Sequence, residues 1–159
     1  MTGVSIEIKE VGLEAALNLV QGIADAPTLE LTEGIGRLME ERTRKRIEED
    51  KKSPDGKSWK PNVAGTSILY REGNLARSID YVATSDSVQI GSALVYARIH
   101  QMGGTIKPKT AKALAFMIGG EFRLVQSVTI PARPYLGISG EDEREIINTT
   151  EDWMRRLVQ

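Results

Sequence analysis

The 159-residue sequence contains no cysteine and a single histidine, His100. Disulfide bonds, thiolate metal sites and cysteine nucleophiles are therefore excluded, because each of them requires a thiol. A zinc or iron site built from several histidines is excluded as well. Aromatic residues make up only 5% of the chain, so leucine, isoleucine, valine and methionine must fill most of any hydrophobic core. From this composition we predict no bound metal and no cofactor.

Long apolar segments are also missing. No run approaches the ~20 residues that a transmembrane helix needs, and residues 1–12 lack the basic start and apolar stretch of a signal peptide. The formal net charge is −1, so bulk electrostatics do not call for a nucleic acid or an anionic membrane as partner. We expect no membrane association, and a protein that stays in the cytoplasm in which it is made.

Hydrophobic periodicity predicts a single α+β domain over residues 1–159, in which a small antiparallel sheet of hairpins packs with helices. Alternating residues predict a strand at 4–8, and helical spacing predicts a short helix from Leu13 to Gly22. A long helix should follow in the N-terminal half of the chain, from Pro27 to about Lys52. Ser139 begins a final helix, with Asp142 taking the acidic position of a capping box.

The second half of the long helix is nearly all charged, and Ile47 is its only apolar residue. A helix that loses its apolar stripe leaves the core. We interpret this half as a solvated extension with ion pairs between Arg44 and Glu48 and between Arg46 and Asp50. The alternative is a functional basic surface, on which Arg42 and Lys45 share one side.

Two hairpins are predicted, and their faces differ. The first, at 79–92, turns at Ser85–Asp86 and has one consistently apolar face. The second turns at Gly119–Gly120 and is apolar on both faces, so both need cover. One face carries Ala115, Met117, Phe122 and Leu124, and the other carries Leu114, Phe116, Ile118 and Val125. We predict that the segment 103–130, a lysine-bearing loop followed by this hairpin, contacts neighbouring subunits.

A short helix is predicted at 93–102, capped by Ser92 and stopped by two glycines. Helical spacing places Val95, Ile99 and Met102 on its buried stripe. On that register the neighbouring residues His100 and Gln101 point away from the core. We predict that His100 is neither a metal ligand nor a catalytic base.

No catalytic motif is present, so we predict that the protein is not an enzyme. The chain has no Gly-x-Ser-x-Gly elbow, no P-loop signature and no Gly-x-Gly-x-x-Gly turn. Two clusters of basic residues lie at 42–52 and 107–112, but neither carries interleaved aromatic residues, and acidic residues interrupt the first. We therefore do not expect the protein to recognise nucleic-acid bases. Non-specific contact with a phosphate backbone remains as an alternative.

Four segments carry motifs. They are Pro-Asp-Gly-Lys-Ser-Trp-Lys-Pro at 54–61, Ile-Leu-Tyr-Arg-Glu-Gly-Asn-Leu-Ala-Arg-Ser-Ile at 68–79, Val-Tyr-Ala-Arg-Ile-His-Gln-Met-Gly-Gly at 95–104 and Ile-Pro-Ala-Arg-Pro-Tyr-Leu-Gly at 130–137. Together they resemble the bacteriophage virion-morphogenesis family, whose members are tail-completion or head–tail joining proteins. The resemblance covers about residues 27–137. The strand at 4–8 is not part of it, and we interpret residues 1–25 as an N-terminal embellishment.

The resemblance implies a structural assembly protein of a tailed phage, located in the neck or tail of the virion and without catalytic residues. It implies a subunit that joins tail to head as part of an oligomeric ring, a hexamer or similar. Its partners would be copies of itself and other neck, head-completion or tail-terminator proteins. The alternative is a tail terminator, or a neck protein that lines the DNA channel with phosphate contacts.

Two motif residues leave alternatives open. Trp59, in a turn-rich segment, is either a lid on the core or an anchor for a partner. Arg133 lies between two prolines, in either a rigid strand-to-helix crossover or an inter-subunit or intra-subunit clamp with the 95–104 helix, since its guanidinium can bind a carboxylate or backbone carbonyls. The candidate interface residues are Arg42, Lys45, Tyr96, Arg98, His100, Gln101, Phe116, Met117, Phe122, Arg133 and Tyr135.

Overall fold

The computed structural model describes residues 12–158, and the strand predicted at 4–8 lies outside the described residues. The described part is an α+β fold, as predicted. Its helices are α1 (Leu13–Ala24), α2 (Thr28–Lys45), α3 (Asn74–Arg77), α4 (Ala97–Met102) and α5 (Gly140–Leu157). A π-helical turn, Arg46–Asp50, continues α2, and Lys51 ends it in the left-handed conformation with φ 55°.

The strands of residues 12–158 form three antiparallel pairs. They are β1 (Ile79–Ala83) with β2 (Val88–Ser92), β3 (Gly104–Ile106) with β6 (Val128–Ile130), and β4 (Leu114–Ile118) with β5 (Glu121–Val125). Both predicted hairpins have the predicted registers, with Tyr81 opposite Ile90 in the first and Met117 opposite Phe122 in the second. The start of the predicted lysine loop is instead strand β3, whose partner β6 lies beyond the second hairpin.

The hydrophobic core lies where the end of α2 meets α3, β1, α4 and the segment after β6. Its fully or nearly fully buried members are Ile47, Trp59, Leu75, Ala76, Ile79, Ala97 and Tyr135. Trp59 is 5% exposed and its indole N–H donates to the carbonyl of Pro134 at 3.0 Å. Of the two interpretations of this tryptophan, the lid on the core is therefore correct.

The charged second half of the long helix stays in the core, so the prediction of a solvated extension is wrong. Thr43 and Ile47 are completely buried and Arg46 is 5% exposed. These three residues have helical i, i+3 and i+4 spacing, so the buried stripe continues with one polar and one charged member. The hydrophobic periodicity does not reveal this stripe, because Arg46 is buried only through its ion pair with Asp142, which lies far away in the sequence.

The predicted ion pairs of this helix are also wrong. Arg44 pairs with Glu40 on the preceding turn and donates to the carbonyl of Ile79 at 2.9 Å. Arg46 pairs with Asp142 at the start of α5. Each arginine of the helix end thus ties α2 to its own helix or to another element of the same chain.

The first hairpin packs against α2 through a close contact at Gly36. A Cβ atom added at this buried glycine would lie 2.2 Å from the Tyr81 ring. No real Cβ comes so near, and the ring is held on the strand that packs along the helix. Gly36 is therefore needed for the approach of strand and helix rather than for an unusual backbone angle.

We expect Gly36→Ala to lower the free energy of unfolding by about 1–3 kcal/mol, because overpacking outweighs the better helix propensity of alanine. Gly34→Ala is the matched control in the same helix, because its Cβ would meet only the Thr149 methyl group, at 3.8 Å. That variant should be as stable as the parent or more stable by up to about 1 kcal/mol. Chemical denaturation of both variants measures the difference, and equal stabilities would contradict the close contact.

The short helix α4 begins at Ala97, four residues later than the predicted 93. Ser92 does not cap the helix, and its hydroxyl instead accepts from the Leu94 backbone N–H at 3.2 Å. The predicted buried stripe is wrong, because Val95 is 99% and Met102 69% exposed. Because Ala97 is buried and Gln101 lies one turn further along the same side, the helix turns that side toward the core.

Candidate assembly interface

The motif segments meet around residues 130–137, which we call the strap. Gln101 of α4 holds it with one side-chain amide. Its Oε1 accepts from the backbone N–H groups of Tyr135 and Leu136 at 2.9 and 3.0 Å, and its Nε2 donates to the Leu136 carbonyl at 3.1 Å. The prediction that His100 and Gln101 point away from the core is wrong, since both are half-buried.

Arg133 and Tyr135 face inward from the strap. The guanidinium of Arg133 donates from Nε to the Lys60 carbonyl at 2.9 Å and from Nη2 to the Pro61 carbonyl at 3.2 Å. The hydroxyl of Tyr135 donates to the Ala97 carbonyl at 3.1 Å, and burial raises the pKa of this phenol. Arg133 is thus a clamp on backbone carbonyls within the chain, but its guanidinium holds residues 60–61 rather than the predicted 95–104 helix.

Two glycines of the motifs allow close backbone approach to or from the strap. A Cβ at Gly103, whose φ is 69°, would lie 2.6 Å from the backbone nitrogen of Ala132. A Cβ at Gly137, with φ 143°, would lie 2.8 Å from the Pro54 ring. The strap therefore touches the segments that contain the first and third motifs.

A second cluster joins the end of α2 to the start of α5. The carboxylate of Asp142 is completely buried and accepts from Arg42 Nε at 2.7 Å, Arg46 Nη2 at 2.5 Å and the Ser139 backbone N–H at 2.8 Å. Burial by itself would raise the pKa of Asp142, but the hydrogen bonds from Ser139 and Arg42 and the charge of Arg46 hold it below its usual value. Ser139 completes the predicted capping box. The cluster is structural and holds the carboxylate ionised.

The sequence model of the phage virion morphogenesis family matches residues 11–155 of the chain. The chain belongs to the phage virion morphogenesis family. The curated relatives include the putative capsid assembly protein G of Escherichia phage Mu, 38% identical over 84 residues, which are 52% of this chain and 43% of that protein. The Mu-like prophage FluMu G protein 2 of Haemophilus influenzae is 30% identical over 95 residues, 60% of this chain and 56% of that protein.

These matches span about half the length of each curated relative. No solved structure matches the chain. The family is one of phage structural assembly proteins and is not known as an enzyme family. This agrees with the predicted class of virion assembly protein.

The candidate interface residues fall into two groups. Arg133 and Tyr135 are buried and bound within the chain, and Arg42 is mostly covered by its contacts with Glu141 and Asp142. The others reach the surface to different degrees. Met117, Phe122 and Tyr96 are 64%, 65% and 42% exposed, Arg98 and Lys45 are exposed, and Phe116, His100 and Gln101 are half-buried. Their contact with partners stays a prediction.

One exposed apolar surface among them is a face of the second hairpin, which we call the hairpin face. It consists of Ala115, Met117, Phe122 and Leu124. Leu124, like Phe122, is 65% exposed. The opposite face, which carries Leu114, Phe116, Ile118 and Val125, is half-buried. Within residues 12–158, one of the two apolar faces is thus left open to a partner.

Sequence reasoning missed the link between Asp142 and the two arginines. A signal was present, because Arg42 and Arg46 lie one helical turn apart and Glu141–Asp142 is an acidic pair at a helix start. It also placed Val95 on the buried stripe of a helix, whereas Val95 lies outside every regular element and is 99% exposed.

Between residues 12 and 158 no helix is long and apolar enough to cross a membrane, and no three acidic or histidine side chains are grouped to hold a metal ion.

Proposed function

We propose that this chain is a tail-completion or neck subunit, which joins the phage tail to the head as part of an oligomeric ring. The hairpin face carries the proposal. Three of its side chains, Met117, Phe122 and Leu124, are each about two-thirds exposed on a pair of adjacent strands. Contiguous exposed apolar surface of this kind marks protein interfaces, whereas a freely soluble monomer rarely retains it.

The geometry of the hairpin suits contact between copies. Its strands pair only with each other in the described structure, and the turn at Gly119–Gly120 lies at the end away from the strand connections. The apolar face of such a hairpin can cover a different surface of the next subunit, rather than the same hairpin. Head-to-tail contacts of this type close into rings when the rotation between subunits allows it.

The test is the variant Phe122→Glu, with Val82→Glu as the matched control. Val82 is 67% exposed on a strand of the other hairpin, so the control adds the same charge to a similar strand surface. We expect Phe122→Glu to weaken self-association at least about 100-fold, because the contact loses apolar area and must bury a carboxylate. Sedimentation velocity measures this, and Val82→Glu should associate like the parent.

The same variants separate the neck function from other assembly roles. In phage particles carrying Phe122→Glu, we expect complete heads and complete tails that remain unjoined in electron micrographs. Normal virions from this variant would contradict the proposed interface. Defective capsids with no free heads would contradict the proposed place in the neck and favour a role in capsid assembly.

One observation supports the alternative of a neck protein that touches DNA. Lys107, Lys109 and Lys112 are exposed on the connection between β3 and β4, whereas Arg42, Arg44 and Arg46 are used in ion pairs within the chain. Contact with phosphates would therefore run through the lysines. Binding of the isolated chain to duplex DNA that weakens steeply with salt, and is lost when the three lysines are replaced by glutamine, would favour this alternative.

A further inference from the structure

A cavity of about 460 Å³ lies between α4 and the chain segment 62–75, and we call it the α4 cavity. Its polar and charged lining includes Asn62, Arg71, Glu72, His100 and Arg133, and the ring of Tyr96 forms part of the wall. Its volume is in the range of sites that bind small groups or side chains. It belongs neither to the hairpin face nor to the Asp142 cluster.

Arg133 brings a buried positive charge to this cavity. The one carboxylate among the lining residues, that of the exposed Glu72, forms no ion pair with Arg133. Arg133 is 6% exposed, and between residues 12 and 158 no carboxylate lies within ion-pair distance of it. Nε and Nη2 donate to carbonyls, and Nη1 has no acceptor among the described residues. A buried charge without an opposite charge is costly, and burial accordingly lowers the pKa of Arg133.

Two polar atoms of residues that line the same cavity are buried without a hydrogen-bond partner in the described residues. They are Oδ1 of Asn62 and Nδ1 of His100. The amide nitrogen of Asn62 is occupied by Thr66, so its oxygen is the atom left to accept. Burial and the charge of Arg133 lower the pKa of His100, which keeps the imidazole neutral. The cavity thus offers a cation beside an acceptor for an N–H group.

A peptide residue with an acidic side chain has the matching groups. Its carboxylate can accept from the unused N–H groups of Arg133, with Arg71 as a second cation at the exposed rim. Its backbone N–H can donate to the Asn62 oxygen. A phosphate monoester, which is mostly dianionic at pH 7, would satisfy the arginines but has no hydrogen-bond donor for Asn62.

The chain itself carries a short acidic segment at residues 48–50. Glu48, Glu49 and Asp50 are all exposed at the end of the π-helical turn, and none forms an ion pair with another residue of 12–158. None of the three lines the α4 cavity of its own chain. A contact between this segment of one copy and the cavity of the next is heterologous, which is the type of contact that builds rings.

We propose that the α4 cavity binds an acidic side chain of the segment 48–50 from a second copy of this chain. The choice of a second copy rests on the proposed function, because it assumes that the subunits associate. The affinity of the cavity for an acidic peptide does not depend on that assumption. The two parts can therefore be tested separately.

The first experiment uses His100 as a reporter, since it is the single histidine of the chain and gives one set of imidazole NMR signals. The full chain, kept dilute, is titrated with the peptide acetyl-Glu-Glu-Asp-amide and with acetyl-Gln-Gln-Asn-amide as its uncharged match. We expect saturable shifts of the His100 signals with the acidic peptide alone. Absence of shifts, or equal shifts with both peptides, would overturn the cavity as a carboxylate site.

Arg133→Gln should weaken acidic-peptide binding at least about tenfold, because a charge-assisted hydrogen bond is lost. Since Arg133 also clamps the chain, Arg71→Gln provides a second variant that leaves the clamp intact. It should weaken binding about two- to fivefold, as expected for an exposed charge. Unchanged affinity in a folded Arg133→Gln protein, or in Arg71→Gln if the former does not fold, would overturn the proposal.

The second experiment tests the source of the carboxylate with the triple variant Glu48→Gln, Glu49→Gln, Asp50→Asn. It should still bind the acidic peptide and should self-associate at least about tenfold more weakly than the parent. If its self-association is unchanged, the carboxylate does not come from this segment and that part is overturned. If the parent chain does not self-associate at all, the proposed ring fails, while the peptide titration still decides the cavity.

Discussion

Replacing Asp142 with asparagine is expected to lower the free energy of unfolding by about 3–5 kcal/mol, because it removes the counter-charge of a buried cation. Asp142 is completely buried and bridges Arg42 and Arg46, and Arg46 is itself only 5% exposed. Asparagine is nearly the same size and can still accept a hydrogen bond. The loss therefore reports the uncompensated charge of Arg46 rather than a cavity. Urea denaturation monitored by tryptophan fluorescence measures it.

Glu141→Gln is the control for this substitution. Glu141 is the adjacent residue and pairs with the same Arg42 at 2.8 Å, but its side chain is 64% exposed. An exposed ion pair contributes about 0–1 kcal/mol, so this variant should remain within about 1 kcal/mol of the parent. If Glu141→Gln and Asp142→Asn lower the free energy of unfolding by similar amounts, the burial of Asp142 does not determine how much its ion pairs stabilise the fold.

The Asp142 cluster also predicts how stability depends on pH. The folded pKa of Asp142 lies below its ordinary value of 3.8, so the folded state favours the ionised carboxylate. The resulting stabilisation is fully present above about pH 4 and is lost as the pH falls through the folded pKa. We expect the parent to lose stability below about pH 4, while the difference between the parent and Asp142→Asn becomes smaller over the same range. A constant difference down to acid pH would contradict the lowered pKa.

The sequence alone predicted the elements whose signals are local. Both hairpin registers follow from alternation and glycine turns, and the start of α5 follows from Ser139 and the capping residue Asp142. The helix boundaries were less accurate where the chain forms a turn before the helix. Thus α4 starts at Ala97 rather than 93, because Ser92 and Leu94 bond within a turn.

The rest of the fold depends on pairs that are far apart in sequence. Arg46 is buried because Asp142 lies beside it, and Gln101 faces inward because the strap offers two N–H groups and one carbonyl. Periodicity assigns both residues to the surface, since each is polar and its partner is 35 or 96 residues away. The α4 cavity has the same origin, because Asn62, His100 and Arg133 come from three separate motifs or loops.

Gln101→Met is expected to lower the free energy of unfolding by about 2–4 kcal/mol. Methionine has a similar length but cannot pair with the Tyr135 and Leu136 N–H groups or with the Leu136 carbonyl. Each buried polar group left unpaired costs about 1–3 kcal/mol, and partial access of water to the strap reduces the sum. The strap should also open locally, so the Tyr135 and Leu136 amides should exchange with solvent faster than the change in global stability explains.

Two further variants test whether the loss of the Gln101 amide causes the expected fall in the free energy of unfolding. Gln101→Glu retains an oxygen for both N–H groups but places a second oxygen against the Leu136 carbonyl, so its stability should fall between those of the parent and Gln101→Met. Gln126→Met makes the same change at an exposed glutamine that has no side-chain hydrogen bond in the described residues, and it should cost less than about 0.5 kcal/mol. If Gln101→Met proves as stable as Gln126→Met, the strap is held by the packing of Tyr135 and the Arg133 clamp, and the glutamine of the third motif has another role.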